Sequence, residues 1–95
     1  KPIKTLEMVA TAYTACVEEC GKADGITASG TKVKQGRTVA ADWSVLPCGT
    51  HIRIDGHEYI VEDCGVKGNV IDIYFDSKAD ALEFGVQTVT VEVMP

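Results

Sequence analysis

The sequence predicts a mainly β domain closed into a small barrel, and three observations point to this fold class. Six short segments have strand-like composition or a two-residue alternation of apolar and polar side chains. A single segment late in the chain carries helix signals, and glycines punctuate the connections. Closing six short strands into a barrel removes the exposed edges that an open sheet would leave.

The predicted strands are spread along the whole chain, at residues 6–14, 38–42, 50–54, 57–63, 70–75 and 88–93. The third and fourth are predicted to form a hairpin, because Asp55-Gly56 between them is a strong two-residue turn signal. In the fifth strand, Ile71 and Ile73 share one face by the two-residue period, which leaves Asp72 on the other. A carboxylate is therefore expected to project from the middle of an otherwise apolar strand.

The remaining segments divide into one helix and one long loop. Ser77 is placed to cap a helix over residues 78–84, and Gly85 is placed to end it. Residues 16–36 lose apolar periodicity and are rich in glycine, which predicts an extended loop. A loop of that length in a small domain is usually functional.

Size and charge limit the function classes. Ninety-five residues fit a single domain, 1–95. The formal net charge is −5 and the nine Lys and Arg residues are scattered, so we expect no nucleic-acid surface. No apolar run approaches the ~20 residues that span a bilayer, and the N-terminus has no signal-peptide-like run. We expect a soluble, mature or excised region without membrane insertion.

Four cysteines, Cys16, Cys20, Cys48 and Cys64, form an even set in a small chain, which is typical of disulfide-stabilised domains outside the cytosol. Three pairings are possible. A zinc site is the alternative, but the spacing matches no common ligand pattern and neither His51 nor His57 completes one.

Three aspartates stand at strand ends or within a strand: Asp42, Asp63 and Asp72. Aspartate is depleted in strands and costly to bury without partners, so each position needs a reason. If their strands are neighbours, the carboxyl groups can converge and raise at least one pKa, leaving an acid able to donate a proton. The alternatives are turn capping and a calcium site that adds Asp76, although no loop has a calcium-motif spacing.

Trp43, beside Asp42, is the single tryptophan and has two interpretations. It can fill the core, or it can stack against a sugar ring. The two histidines flank the predicted hairpin turn and are expected to be solvated.

Several segments together are similar to a known family. They are residues 11–14 (TAYT), 27–31 (TASGT), 39–42 (VAAD), 46–50 (LPCGT), 61–65 (VEDCG) and 67–75 (KGNVIDIYF). This succession resembles the three-aspartate (3D) domain of Firmicutes, which has relatives in the membrane-bound lytic transglycosylase A family and in stationary-phase wall-lytic proteins. The similarity covers nearly the whole chain.

The resemblance implies a six-stranded double-psi β-barrel that acts on the glycan strands of peptidoglycan. It implies a lytic transglycosylase with Asp72 as general acid/base, supported by Asp63 and Asp42, and without metal or cofactor. The implied substrate-binding residues are Tyr13, Thr14, Thr27, Trp43, Gly68 and Tyr74. A secreted or wall-bound monomer is expected, and a non-catalytic polysaccharide-binding barrel is the alternative.

Cys48 and Cys64 stand where the family commonly has other residues, and both border the implied cleft. We therefore expect Cys48 to pair with Cys64 and Cys16 with Cys20.

Overall fold

The computed structural model describes residues 2–14 and 26–95. Within them lie six strands, β1 (Lys4–Tyr13), β2 (Thr38–Ala41), β3 (His51–Ile54), β4 (His57–Asp63), β5 (Val70–Tyr74) and β6 (Gln87–Val93), and one helix, α1 (Lys78–Phe84). The strands close into a barrel in the order β1-β5-β2-β4-β3-β6. The predicted fold class, a six-stranded closed barrel with one short helix, is confirmed.

The order of the strands in the barrel differs strongly from their order in the chain. Only β3 and β4 are neighbours in both, and their hairpin turns at Asp55 and Gly56, which both have positive φ, as the sequence predicted. Two pairs are parallel, β1 with β5 and β2 with β4. The barrel closes where β1 pairs with β6 and β6 pairs with β3.

The barrel interior is filled by alternate side chains from every strand, as the two-residue period requires. Its buried members are Met8, Ala10, Val39, Ala41, Ile52, Ile54, Val61, Ile71, Ile73, Val91 and Val93, joined by Leu46 from the turn after β2. The predicted alternation in β5 is confirmed, because Ile71 and Ile73 are buried inside while Asp72 is half-buried on the outer face.

Helix α1 forms where capping residues predicted it. The Ser77 side chain accepts a hydrogen bond from the Asp80 backbone N–H, and Gly85 follows the last turn with a φ of 65°. Ala81 is buried, and Phe84 packs on Phe75 with ring centroids 5.4 Å apart. The helix therefore packs beside β1 and against the residue that follows β5.

The long loop predicted over residues 16–36 is described only from residue 26. There Ile26 bridges to Lys32 around a tight turn, in which the Thr27 N–H donates to the Thr31 carbonyl. Among the described residues, no helix is long and apolar enough to cross a membrane.

Candidate functional site

The outer face of four adjacent strands carries a row of residues in register. Thr11 of β1 pairs with Asp72 of β5, Asp72 pairs with Ala40 of β2, and Ala40 pairs with Asp63 of β4. Neighbouring strands lie about 4.8 Å apart, which puts the Asp63 and Asp72 backbones about 10 Å apart, with Ala40 on the strand between them. The topology thus places Asp63 and Asp72, two of the three predicted aspartates, on either side of Ala40.

A β-bulge directs Asp63 to this face. Along β4 the pairing with β2 advances by two residues, from Val61 to Asp63, while β2 advances only from Val39 to Ala40. Glu62 is the extra residue, and a bulge of this kind changes the face to which the next side chain points. Strict alternation would have turned Asp63 inward with Val61, so the bulge decides where this carboxylate lies.

Glu62 is itself buried and bonded. Its Oε1 accepts hydrogen bonds from Thr38 Oγ1 at 2.6 Å and from Arg37 Nε at 3.1 Å. Arg37 also donates to the Lys32 carbonyl, and the Glu62 carbonyl accepts from the Ser29 N–H at 3.2 Å. The bulge is therefore tied to the segment that precedes β2, a network that sequence reasoning missed because its partners are distant in the chain.

Asp72 has a partner on the neighbouring strand. Its Oδ1 lies 2.9 Å from Thr11 Oγ1, which donates the hydrogen bond, and the Asp72 side chain is half-buried. Sequence reasoning did not single out Thr11, because only the parallel register of β1 and β5 reveals what it faces.

Asp63 is engaged by three donors. Its Oδ1 accepts from the backbone N–H groups of Ala28 and Cys64, both at 2.9 Å, and its Oδ2 lies 3.5 Å from the Tyr13 hydroxyl. Tyr13 thus reaches from β1 across two intervening strands to β4. The carboxylate fastens the turn at residues 27–31 and the Tyr13 ring to the barrel.

Asp42 is also held by backbone amides. Its Oδ2 accepts from the Gly68 N–H at 2.9 Å, and its Oδ1 accepts from the Ser44 N–H and hydroxyl at 3.0 and 2.7 Å. These donors, Gly68 first, stabilise the ionised form and lower the pKa of Asp42 to about 2. Convergence of like charges would raise the pKa of a carboxyl group. At Asp42 the backbone donors lower the pKa instead.

The remaining predicted substrate-binding residues make contacts within the domain. Trp43 packs against the core and donates from Nε1 to the Asp63 carbonyl at 3.0 Å. Tyr74 is buried and meets Tyr13 edge to face, with ring centroids 5.6 Å apart.

Thr14 and Thr27 are also buried. The Thr27 hydroxyl lies 2.9 Å from the Ser29 hydroxyl and 2.7 Å from that of Thr31.

The predicted disulfide between Cys48 and Cys64 is not formed, and both are free and exposed. Gly49, with a φ of 91°, turns the chain so that the Thr50 N–H donates to the Pro47 carbonyl. Cys48 therefore lies in the turn before β3, whereas Cys64 follows the end of β4. Cys16 and Cys20 lie outside the described residues. In residues 2–14 and 26–95, no three His, Cys, Asp or Glu side chains are grouped as metal ligands.

By its fold and site, the chain is a closed six-stranded β-barrel domain with aspartates along one outer face. Comparison with known proteins identifies the family: the 3D domain model matches residues 37–95, and the chain belongs to this family.

Three relatives are from Bacillus subtilis (strain 168), and each alignment covers 96% of this chain. Cell wall-binding protein YocH is 39% identical, with 33% of its own length covered. Putative cell wall shaping protein YabE is 34% identical, with 23% covered. SPbeta prophage-derived uncharacterized protein YorM is 38% identical, with 42% covered. The chain thus spans less than half of each relative.

Proposed function

We propose that this domain cleaves the β-1,4 bond between MurNAc and GlcNAc in peptidoglycan as a lytic transglycosylase, with Asp72 as its acid/base. The observation that carries the proposal is the position of Asp72, a half-buried carboxyl in mid-strand on the outer face, bonded to a neutral hydroxyl. A group in that setting can exchange a proton with a substrate laid along the face. The relatives named for wall binding and wall shaping support peptidoglycan as the target.

The proposed reaction needs one proton donor and no water. The Asp72 carboxylic acid gives its proton to the glycosidic oxygen as the bond from that oxygen to C1 of MurNAc breaks, and GlcNAc leaves with a free 4-hydroxyl. The 6-hydroxyl of the same MurNAc then bonds to C1, and its proton returns to the Asp72 carboxylate. The product is 1,6-anhydro-MurNAc, and the tethered nucleophile removes the entropic cost of recruiting a second molecule.

The environment of the other aspartates favours this single-acid route. A two-carboxylate glycosidase needs its second group available as a base or nucleophile. Asp63 accepts two backbone N–H bonds on Oδ1, and Asp42 is held by Gly68 and Ser44. We assign Asp63 and Asp42 as positioning residues that hold the neighbouring backbone segments of the site in place.

The substrate is proposed to contact residues around this row. Tyr13 and the turn at residues 27–31 are both fastened to Asp63, so Tyr13 and Thr27 are placed together at one side. Gly68, fastened to Asp42, lies on the other side. Thr14, Trp43 and Tyr74 complete the proposed substrate-binding set. On this proposal the domain works outside the cytoplasm, in the wall, as a monomer.

Product analysis of digested sacculi tests the function. Wild-type domain is expected to release muropeptides that end in 1,6-anhydro-MurNAc, identified by mass spectrometry, and Asp72→Asn is expected to release none. Asp55→Asn is the matched control, because Asp55 lies in the exposed β3–β4 turn and asparagine tolerates its positive φ. Circular dichroism checks that each variant is folded. Unchanged release by Asp72→Asn removes Asp72 from the mechanism.

The alternative function is peptidoglycan binding without catalysis. It is favoured by one structural observation: Asp42 and Asp63 serve as backbone anchors, which a binding module needs as much as an enzyme does. The name of its relative YocH, cell wall-binding protein, agrees with this alternative. A binder is expected to sediment with sacculi and to release no anhydro sugars, whereas reducing ends without the anhydro mark indicate hydrolysis.

A further inference from the structure

Thr11 occupies a position that neither the family match nor the predicted site assigns. It faces outward on β1, directly in register with Asp72 on the parallel strand β5. Its hydroxyl lies 2.9 Å from Asp72 Oδ1, and 3.5 Å from the Ile71 carbonyl. Threonine is stiff about χ1, so the two strands fix the Oγ1 atom while its hydrogen remains able to rotate.

We propose that Thr11 is the positioning residue of Asp72, holding Oδ1 by a donated hydrogen bond so that the transferable proton is carried on Oδ2. This inference rests on the proposed function, since it names the group that orients its acid. A hydrogen bond to one carboxyl oxygen fixes the rotation of the whole group, and proton transfer depends on that orientation. When Oδ2 carries the proton, Oδ1 is the carbonyl oxygen of the acid and still accepts the Thr11 hydrogen bond, so the orientation is kept in both protonation states.

Two substitutions at Thr11 separate the hydroxyl from the shape of the side chain. Thr11→Val keeps the branched shape and removes the hydroxyl, while Thr11→Ser keeps the hydroxyl. Thr90→Val is the matched control, because Thr90 is an exposed threonine on β6 and pairs with Glu7, away from the aspartates.

The kinetic test uses release of anhydro-muropeptides from sacculi. Thr11→Val is expected to lower kcat about tenfold to a hundredfold with little change in KM, as loss of a hydrogen bond to a charged group implies. Thr11→Ser is expected to keep most of the activity, and Thr90→Val all of it. A wild-type kcat in Thr11→Val, or a loss in Thr11→Ser equal to that in Thr11→Val, overturns the assignment.

A second measurement does not depend on activity. The carboxyl carbon of Asp72, observed by ¹³C NMR at one pH and assigned with Asp72→Asn, is expected to shift in Thr11→Val but not in Thr90→Val. An unchanged signal in Thr11→Val overturns the contact. If the signal responds but the wild type releases no anhydro sugars, the proposed function fails while the Thr11–Asp72 contact is supported.

Discussion

Asp63 and Asp72 lie on either side of Ala40, each in register with it from an opposite neighbouring strand. They are nine residues apart in the sequence, yet they do not lie on adjacent strands, because β2 enters the barrel between β4 and β5. Ala40 itself is buried between them. A bulge at Glu62 and a hydroxyl at Thr11 then set the orientation of one aspartate each.

Removal of the Asp63 carboxylate should loosen the turn at residues 27–31. Asp63→Ala takes away the acceptor of the Ala28 and Cys64 amides and of the Tyr13 hydroxyl. We expect a loss of about 1.5–3 kcal/mol in the free energy of unfolding, the range for hydrogen bonds to charged groups. Hydrogen exchange should accelerate at the Ala28 amide and stay unchanged in the control Asp76→Ala, whose side chain is exposed. Protection of Ala28 as strong as in the wild type would contradict the anchoring role.

Asp42 should contribute a pH-dependent share of stability. Its pKa is lowered to about 2 by the Gly68 and Ser44 donors, whereas an unfolded aspartate titrates near 3.8. A lowered folded-state pKa stabilises the fold above the unfolded value, and that contribution disappears as the pH falls from about 4 to about 2. Asp42→Asn should therefore be less stable at pH 7 and should flatten the stability curve in that window. Urea midpoints from pH 2 to 7 measure it, and an acid limb as steep as in the wild type would assign the dependence to other carboxylates.

Glu62 should stabilise the bulge through the oxygen that Thr38 and Arg37 share. Glu62→Ala removes this buried acceptor, and we expect a loss of about 1.5–3 kcal/mol by denaturant unfolding. Glu62→Gln keeps an oxygen for both donors and should lose less. Because the bulge orients Asp63, Glu62→Ala should also lower anhydro-sugar release. Equal stability of the alanine and glutamine variants would show that the oxygen shared by Thr38 and Arg37 does not account for the stabilisation.

The cysteines of the described region should behave as free thiols. Cys48 and Cys64 are exposed, so both should react with a thiol reagent in the folded state. Cys48→Ser and Cys64→Ser should change the free energy of unfolding by less than about 0.5 kcal/mol, as is usual at the surface. A loss of about 2–5 kcal/mol under oxidising conditions would instead reveal a native disulfide between them.

Local patterns in the sequence were enough to predict the secondary-structure elements themselves. The alternation in β5, the Asp55-Gly56 turn and the Ser77 cap each depend on residues within a few positions of one another, and each is found where it was predicted. β1 begins earlier than predicted, at Lys4, because its antiparallel ladder with β6 continues past the apolar residues to Val93. The boundary therefore depends on pairing with β6, at the other end of the chain.

The amino-acid sequence was sufficient to predict the six strand segments, the inward position of Ile71 and Ile73, and the projection of Asp72 from an apolar strand. The environment of the aspartates became visible in the folded barrel alone. Thr11 from a parallel neighbour contacts Asp72, Ala40 lies between Asp63 and Asp72, and backbone amides engage Asp42 and Asp63. The physical reason is that side-chain alternation is a local property of the chain. Strand order, register and bulges are instead set by contacts between segments far apart in sequence, which no local pattern encodes.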